Sequence, residues 1–224
     1  MVQPDIKKLV AYSSVSHMGY VVLGLFSLTS AGAMGAVYQM LNHGISTGAL
    51  FLLVGMIYER RHTREISAFG GIAKVMPLFA VVFMIVTLSS IALPGTNGCV
   101  GEFLILLGAW GANPGLTAIA STGVIFGAVY MLWVFQRVMF GPLQNKENEG
   151  LSDLSLREAV IMVPLIVAIF AMGVYPSFFF EKLNSSVERF LARTKVVSEV
   201  LKVDHAQAPV KYELNSKGFL VWKH

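Results

Sequence analysis

Residues 76–110, MPLFAVVFMIVTLSSIALPGTNGCVGEFLILLGAW, decide the fold. One membrane-spanning helix needs about 20 mostly apolar residues. This stretch is longer, carries no charge before Glu102, and is interrupted by Leu93-Pro94-Gly95-Thr96-Asn97-Gly98, the composition of a helix break. Past the break, residues 99–110 would extend about 18 Å as helix, short of a hydrocarbon core about 30 Å thick. The stretch is therefore either one broken span or two separate spans.

The flanking sequence is equally poor in charge. Uncharged runs cover residues 9–58, 75–101, 103–136 and 159–180, and runs of that length mark membrane spans. The first holds two spans, near 9–28 and 33–58, around a turn of small residues; 116–136 and 159–180 hold one each. Charge placement then arbitrates the broken region, because short cytoplasmic loops carry the excess of Lys and Arg. If 76–110 crosses once, Lys7, Lys8, Arg60, Arg61, Arg64, Lys74, Arg137, Lys146 and Arg157 all fall on one side. If it crosses twice, the last three move to the other side. The single broken span is preferred, which predicts an all-α polytopic membrane protein with about five transmembrane helices, one broken near Pro94 to Gly98. The basic residues of the C-terminal tail then lie opposite, where the rule is weak for long segments.

Composition agrees. Of 224 residues, 55% are hydrophobic and 13% charged, about half the usual charged share of a soluble domain. The net charge of +4 comes without a dense basic run, so no nucleic-acid partner is expected. Cys99 is the single cysteine, which excludes an internal disulfide, a thiolate cluster or a paired redox motif in this chain. The polar start at Met1 to Lys8 and the long apolar run behind it do not fit a cleavable targeting segment.

Glu102 is the only charged side chain between Lys74 and Arg137. A carboxylate at that depth is expensive, so by default it faces a polar interior and marks an ion or proton path. The plainer alternative is a carboxyl at a helix start near the interface, favoured there by the helix dipole. His17 lies in the polar string Tyr12-Ser13-Ser14-Val15-Ser16-His17 and His43 in Leu41-Asn42-His43-Gly44-Ile45-Ser46-Thr47. Histidines beside hydroxyls and amides can relay protons, although a helix histidine is more often a packing residue. No metal-ligand spacing joins these residues, and no phosphate-binding loop is present. Gly44 with Gly48, and Gly123 with Gly127, have the spacing of faces for tight helix contact.

The tail from residue 181 opens on Asn184-Ser185-Ser186-Val187-Glu188, with capping-box spacing between Ser185 and Glu188. Val187, Phe190, Leu191, Val197, Val200 and Leu201 then recur at helical spacing, which predicts an amphipathic surface helix. The division expected is a transmembrane domain over 1–180 and an extramembrane tail over 181–224.

Three motifs in order carry a resemblance: Asp5-Ile6-Lys7-Lys8-Leu9-Val10-Ala11-Tyr12-Ser13-Ser14-Val15-Ser16-His17-Met18-Gly19, then Leu41-Asn42-His43-Gly44, then Leu93-Pro94-Gly95-Thr96 with Gly101-Glu102-Phe103. From Asp5 to about Phe180 the chain resembles the C-terminal half of the antiporter-like proton-pumping subunits of respiratory complex I, called chain M in bacteria and subunit 4 in mitochondria. The resemblance implies a proton-translocating membrane-arm subunit of NADH:quinone oxidoreductase, with NADH, FMN, iron-sulfur clusters and quinone bound by other subunits and no redox chemistry in this chain. It also implies proton-relay roles for Glu102, His17 and His43. Sister subunits carry a lysine in place of this glutamate, which favours the chain M type.

The resemblance covers only the second of that family's two inverted repeats. The chain is accordingly read as a fragment, a split half needing its N-terminal partner or a truncated frame, and is not expected to pump alone. Its expected partners are other membrane-arm subunits and the bilayer. Its expected place is an energy-transducing membrane, bacterial inner membrane ahead of mitochondrial. Two other readings are a subunit of a multisubunit cation/proton antiporter and a structural or assembly element that translocates nothing.

Overall fold

Local signals start and stop each helix of the computed structural model, which describes residues 3–207, 212–214 and 220–222, with side chains described for 3–194. The Asp5 carboxylate accepts the Lys8 N–H at 3.0 Å and opens α1 (Ile6–Phe26). A three-residue turn with Leu28 in the left-handed region leads to Thr29, whose hydroxyl accepts the Gly32 N–H and opens α2 (Ser30–Arg61). Proline at the first helical position starts both α3 (Pro77–Ser90) and α5 (Pro114–Met139), where its missing N–H costs nothing. Between those two lies α4 (Asn97–Ala112). A capping box of Ser155 and Glu158 opens α6 (Leu156–Val174), and α7 (Ser177–Gln207) follows. Beyond it a short antiparallel ribbon pairs β1 (Tyr212–Leu214) with β2 (Leu220–Trp222). The body is all-helical, as the charge pattern predicts.

The crossing count follows from which helix ends meet. The Ile6 N–H donates to the Arg64 carbonyl at 2.9 Å and the Ile66 N–H to the Pro4 carbonyl at 2.8 Å, joining the start of α1 to the end of α2. The Gly71 N–H reaches the Phe140 carbonyl just past α5. Arg60, at the end of α2, grips Glu158 in the first turn of α6 with two bonds of 2.7 Å. The Asp153 carboxylate accepts the Leu78 and Phe79 N–H groups at the start of α3, both at 2.9 Å. Five helix ends and the basic residues around them thus share one end of the bundle.

The other end of α4 lies away from it. Gly108 packs so tightly on the Gly32 backbone and the Thr29 hydroxyl that any Cβ would collide. Helices α3 and α4 together therefore make one crossing, broken over residues 91–96. Four helices are long and apolar enough to span by themselves, namely α1, α2, α5 and α6, and the broken pair is the fifth crossing. Outward faces of α5 (Leu116, Ile119, Phe126) and α6 (Val160, Val163, Val167) are apolar and exposed, as lipid contact requires.

Three local expectations are corrected. The last span ends at Val174, because Tyr175 and Pro176 interrupt the helix where the sequence is still apolar. Ser185 caps nothing: α7 starts at Ser177 and runs through it, so its amide lies inside the helix, and the side chain of Asn184 donates to Glu188 instead. A Cβ added at Gly44 or Gly48 would meet nothing within 4 Å, so that face packs no helix among the described residues, whereas the Tyr20 ring does sit on Gly123. Of the expected amphipathic face, Val187 is buried, and Val197, Val200 and Leu201 lie outside the described side chains.

Candidate functional site

The helix break is built into a polar layer supplied by α2. Ala92 and Gly95 take positive φ values, of 60° and 91°, which turn the chain between α3 and α4. Irregular backbone in a membrane survives only when protein satisfies it. Here the Asn42 side chain donates to the Asn97 carbonyl at 2.8 Å, while the Asn97 side chain takes the Ser89 hydroxyl at 2.6 Å and bonds Ser46. Ser46 and Ser89 hydroxyls also meet at 2.7 Å. Gln39, Asn42 and Ser46 recur at helical spacing, so one stripe of α2 carries its side of the layer, opposite Ser89 and Asn97.

Glu102, in the second turn of α4, faces this layer and is 5% exposed. Its Oε1 lies 3.0 Å from His17 Nδ1 on α1 and accepts from Gln39 Nε2 at 3.3 Å. The His17 ring lies 5.6 Å, centroid to centroid, from the His43 ring on α2. His43 Nδ1 in turn is 3.0 Å from the Thr47 hydroxyl. The three residues singled out in the sequence therefore form one row, in the order Glu102, His17, His43, which the Thr47 hydroxyl continues.

Two narrow clefts border this row, each with a free volume of about 10 Å³. One runs beside Gln39, Asn42, His43 and Thr47; the other beside Glu102, Tyr20, Gly127 and Tyr130. A far roomier cleft, about 850 Å³, lies at the basic end around Arg137 and Trp133 and holds none of these side chains. Among the described residues no three His, Cys, Asp or Glu side chains converge where a metal could be held.

Such a row suits proton handling. An imidazole that receives a proton at one ring nitrogen can release another from the second, and here the second nitrogen faces a carboxylate. Gln39 belongs to the site and goes unread in the sequence, where Asn42 stands only as a neighbour of His43 and Asn97 only as part of the break. Its signal is its spacing with Asn42 and Ser46 along one face of α2.

Residues 1–127 match the transmembrane family described as NADH:quinone oxidoreductase/Mrp antiporter. The chain belongs to this family. Among curated relatives, it is 48% identical over 187 residues to the NADH-quinone oxidoreductase subunit M of Rhodobacter capsulatus, covering 84% of this chain and 36% of that one. With the NADH-ubiquinone oxidoreductase chain 4 of Marchantia polymorpha it shares 44% over 193 residues, covering 86% of this chain and 39% of that one. Among solved structures it resembles a chain of respiratory complex I from Thermus thermophilus with bound NADH, at a TM-score of 0.79 and 40% identity, over 85% of this chain and 40% of that one. A chain of an archaeal membrane-bound sulfane sulfur reductase follows the fold over 98% of this chain and 41% of that one, at a TM-score of 0.73 and 25% identity. This member of the family spans about two fifths of the length of the relatives it matches.

Proposed function

We propose that this chain supplies one proton half-channel in the membrane arm of an NADH:quinone oxidoreductase, coupling NADH oxidation by quinone to proton transport. Glu102 is its protonatable relay, and His17 and His43 carry the proton along the axis. The observation that supports this best is the 3.0 Å approach of His17 to Glu102 inside an apolar bundle. A carboxyl that only capped a helix near the interface would have no need of an imidazole and an amide from two other helices. The relatives named NADH-quinone oxidoreductase subunit M support the redox partner.

On this reading the flavin, iron-sulfur clusters, NADH and quinone sit on other subunits, and the remaining N-terminal half and neighbouring membrane-arm subunits are its partners. Residues 1–180, whose last crossing ends at Val174, form the membrane domain and residues 181–224 the extramembrane tail. The basic end faces the cytoplasm, in a bacterial inner membrane, since relatives of 48% and 49% identity are bacterial.

The family description also embraces cation/proton antiporters, which keeps a second reading alive: exchange of sodium for protons without NADH. Proton movement in membranes carrying the full assembly separates the two. NADH-driven acidification that persists without sodium supports the first reading; sodium-dependent exchange that ignores NADH overturns it. A purely structural role predicts that neither depends on His17, His43 or Glu102.

A further inference from the structure

The last residue of α3, Ser90, holds a hydroxyl that bonds nothing in the protein although the residue is 6% exposed. Thr87, one turn back in α3, is also left unbonded but lines neither of the narrow clefts, and several other helix hydroxyls of the described residues turn back to their own helix. Ser13 turns back to the Val10 carbonyl, Ser121 to Thr117 and Thr122 to Ile119, each at 2.7 Å. Ser89, its neighbour, is taken up by Asn97. Ser90 follows neither course, because it sits where the helix gives way to the break and its side chain faces the polar axis.

Ser90 and His17 are the two residues that line both narrow clefts. The cleft toward His43 also holds Asn42, whose Oδ1 is buried and likewise unbonded. A buried water needs about 10–15 Å³ and two or more polar partners. Each cleft reaches that size, and each offers Ser90 together with a ring nitrogen, a carboxylate or an amide oxygen. We propose that Ser90 is a positioning residue of the proton path, its hydroxyl anchoring one water in each cleft and so joining the His43 side of His17 to the Glu102 and Tyr130 side. The inference rests on the proton-path reading above. Each hop along it breaks one O–H or N–H bond as another forms, so the hydroxyl is regenerated and nothing is consumed.

The test uses the full-length subunit in its assembled complex, with NADH oxidation by an artificial acceptor as the check on assembly. Ser90→Ala replaces the hydroxyl by a methyl group that holds no water. Loss of one such hydrogen bond should slow NADH-driven proton movement about three- to tenfold. Ser90→Gly leaves room for a further water and should recover part of the rate. A merely structural serine predicts the opposite order, because glycine is the poorer helix residue. Alanine slower than glycine supports the proposal; glycine as slow as or slower than alanine, or alanine at the wild-type rate, overturns it. Glu102→Gln run alongside separates the two levels. If that variant pumps normally, the proton-path reading has failed, and if it is impaired while Ser90→Ala is normal, only the role of Ser90 has failed.

Discussion

Replacing Arg60 with methionine should loosen the whole basic end of the bundle. The guanidinium makes two bonds of 2.7 Å to Glu158, one of 2.8 Å to the Ser152 carbonyl, one of 3.1 Å to the Asp153 carbonyl and one of 2.9 Å to Met56 in its own helix. Charge-assisted bonds are worth about 1.5–3 kcal/mol each, which puts the gross loss at Glu158 near 3–6 kcal/mol. Two features reduce it. Both side chains are 13% exposed, so water can replace part of the pair, and Glu158 keeps the Ser155 N–H and hydroxyl at 2.7 and 2.8 Å. A net cost of about 2–4 kcal/mol remains. The loop that Arg60 holds also carries Asp153, which caps α3, so the effect should reach Leu78 and Phe79.

Amide hydrogen exchange on the detergent-solubilised complex reads this locally. Exchange over residues 152–158 and at Leu78 and Phe79 should quicken about 30- to 700-fold, at a factor of ten per 1.4 kcal/mol. Arg60→Lys keeps the charge and loses the two-pronged geometry, and should fall between. Unchanged exchange at Leu78 and Phe79 in the methionine variant would refute the claim that one arginine ties three helices together.

Two further predictions concern packing and the axis. Gly108→Ala forces a methyl group into the backbone of Gly32 and should destabilise the α2 and α4 contact by about 1–3 kcal/mol, read as a lower melting temperature of the complex; Gly55→Ala, with open space around it, is the matched control that should not shift it. His17→Asn should depress NADH-driven pumping more than His43→Asn, because His17 touches Glu102 and His43 reaches it only through His17; equal losses would contradict that order.

Much of this architecture can be read in the sequence because a membrane penalises charge so steeply. The spacing of basic residues chose one broken crossing over two, and Pro94 to Gly98 marked the break to within a few residues: it runs over 91–96, with Asn97 and Gly98 already in α4. The isolation of Glu102 in an uncharged run singled it out, and the two histidines came from hydroxyl-rich surroundings. What stayed hidden was tertiary. Arg60 and Glu158 are 98 residues apart, and nothing local in either announces the other. Gln39 and Asn42 are uncharged, so hydropathy passes over them, yet they complete the shell around Glu102 and the break. Capping shows a different limit. Ser155-Glu158 and Ser185-Glu188 have the same spacing, but only the first follows a loop; the second follows residues already helical, whose N–H groups leave the serine nothing to cap. At the end of α6 the apolar run Phe178-Phe179-Phe180 continues past Pro176, so hydropathy extended a span that the proline had closed.

The central claim is that Glu102 carries a proton, and Glu102→Gln tests it most directly. Glutamine keeps the size of the side chain and an oxygen for Gln39 but cannot take up or release the proton. Protons moved per NADH oxidised, measured in sealed vesicles bearing the intact complex, should fall in Glu102→Gln and recover in part in Glu102→Asp, with NADH oxidation by an artificial acceptor unchanged in both. Wild-type proton movement in Glu102→Gln would contradict the account.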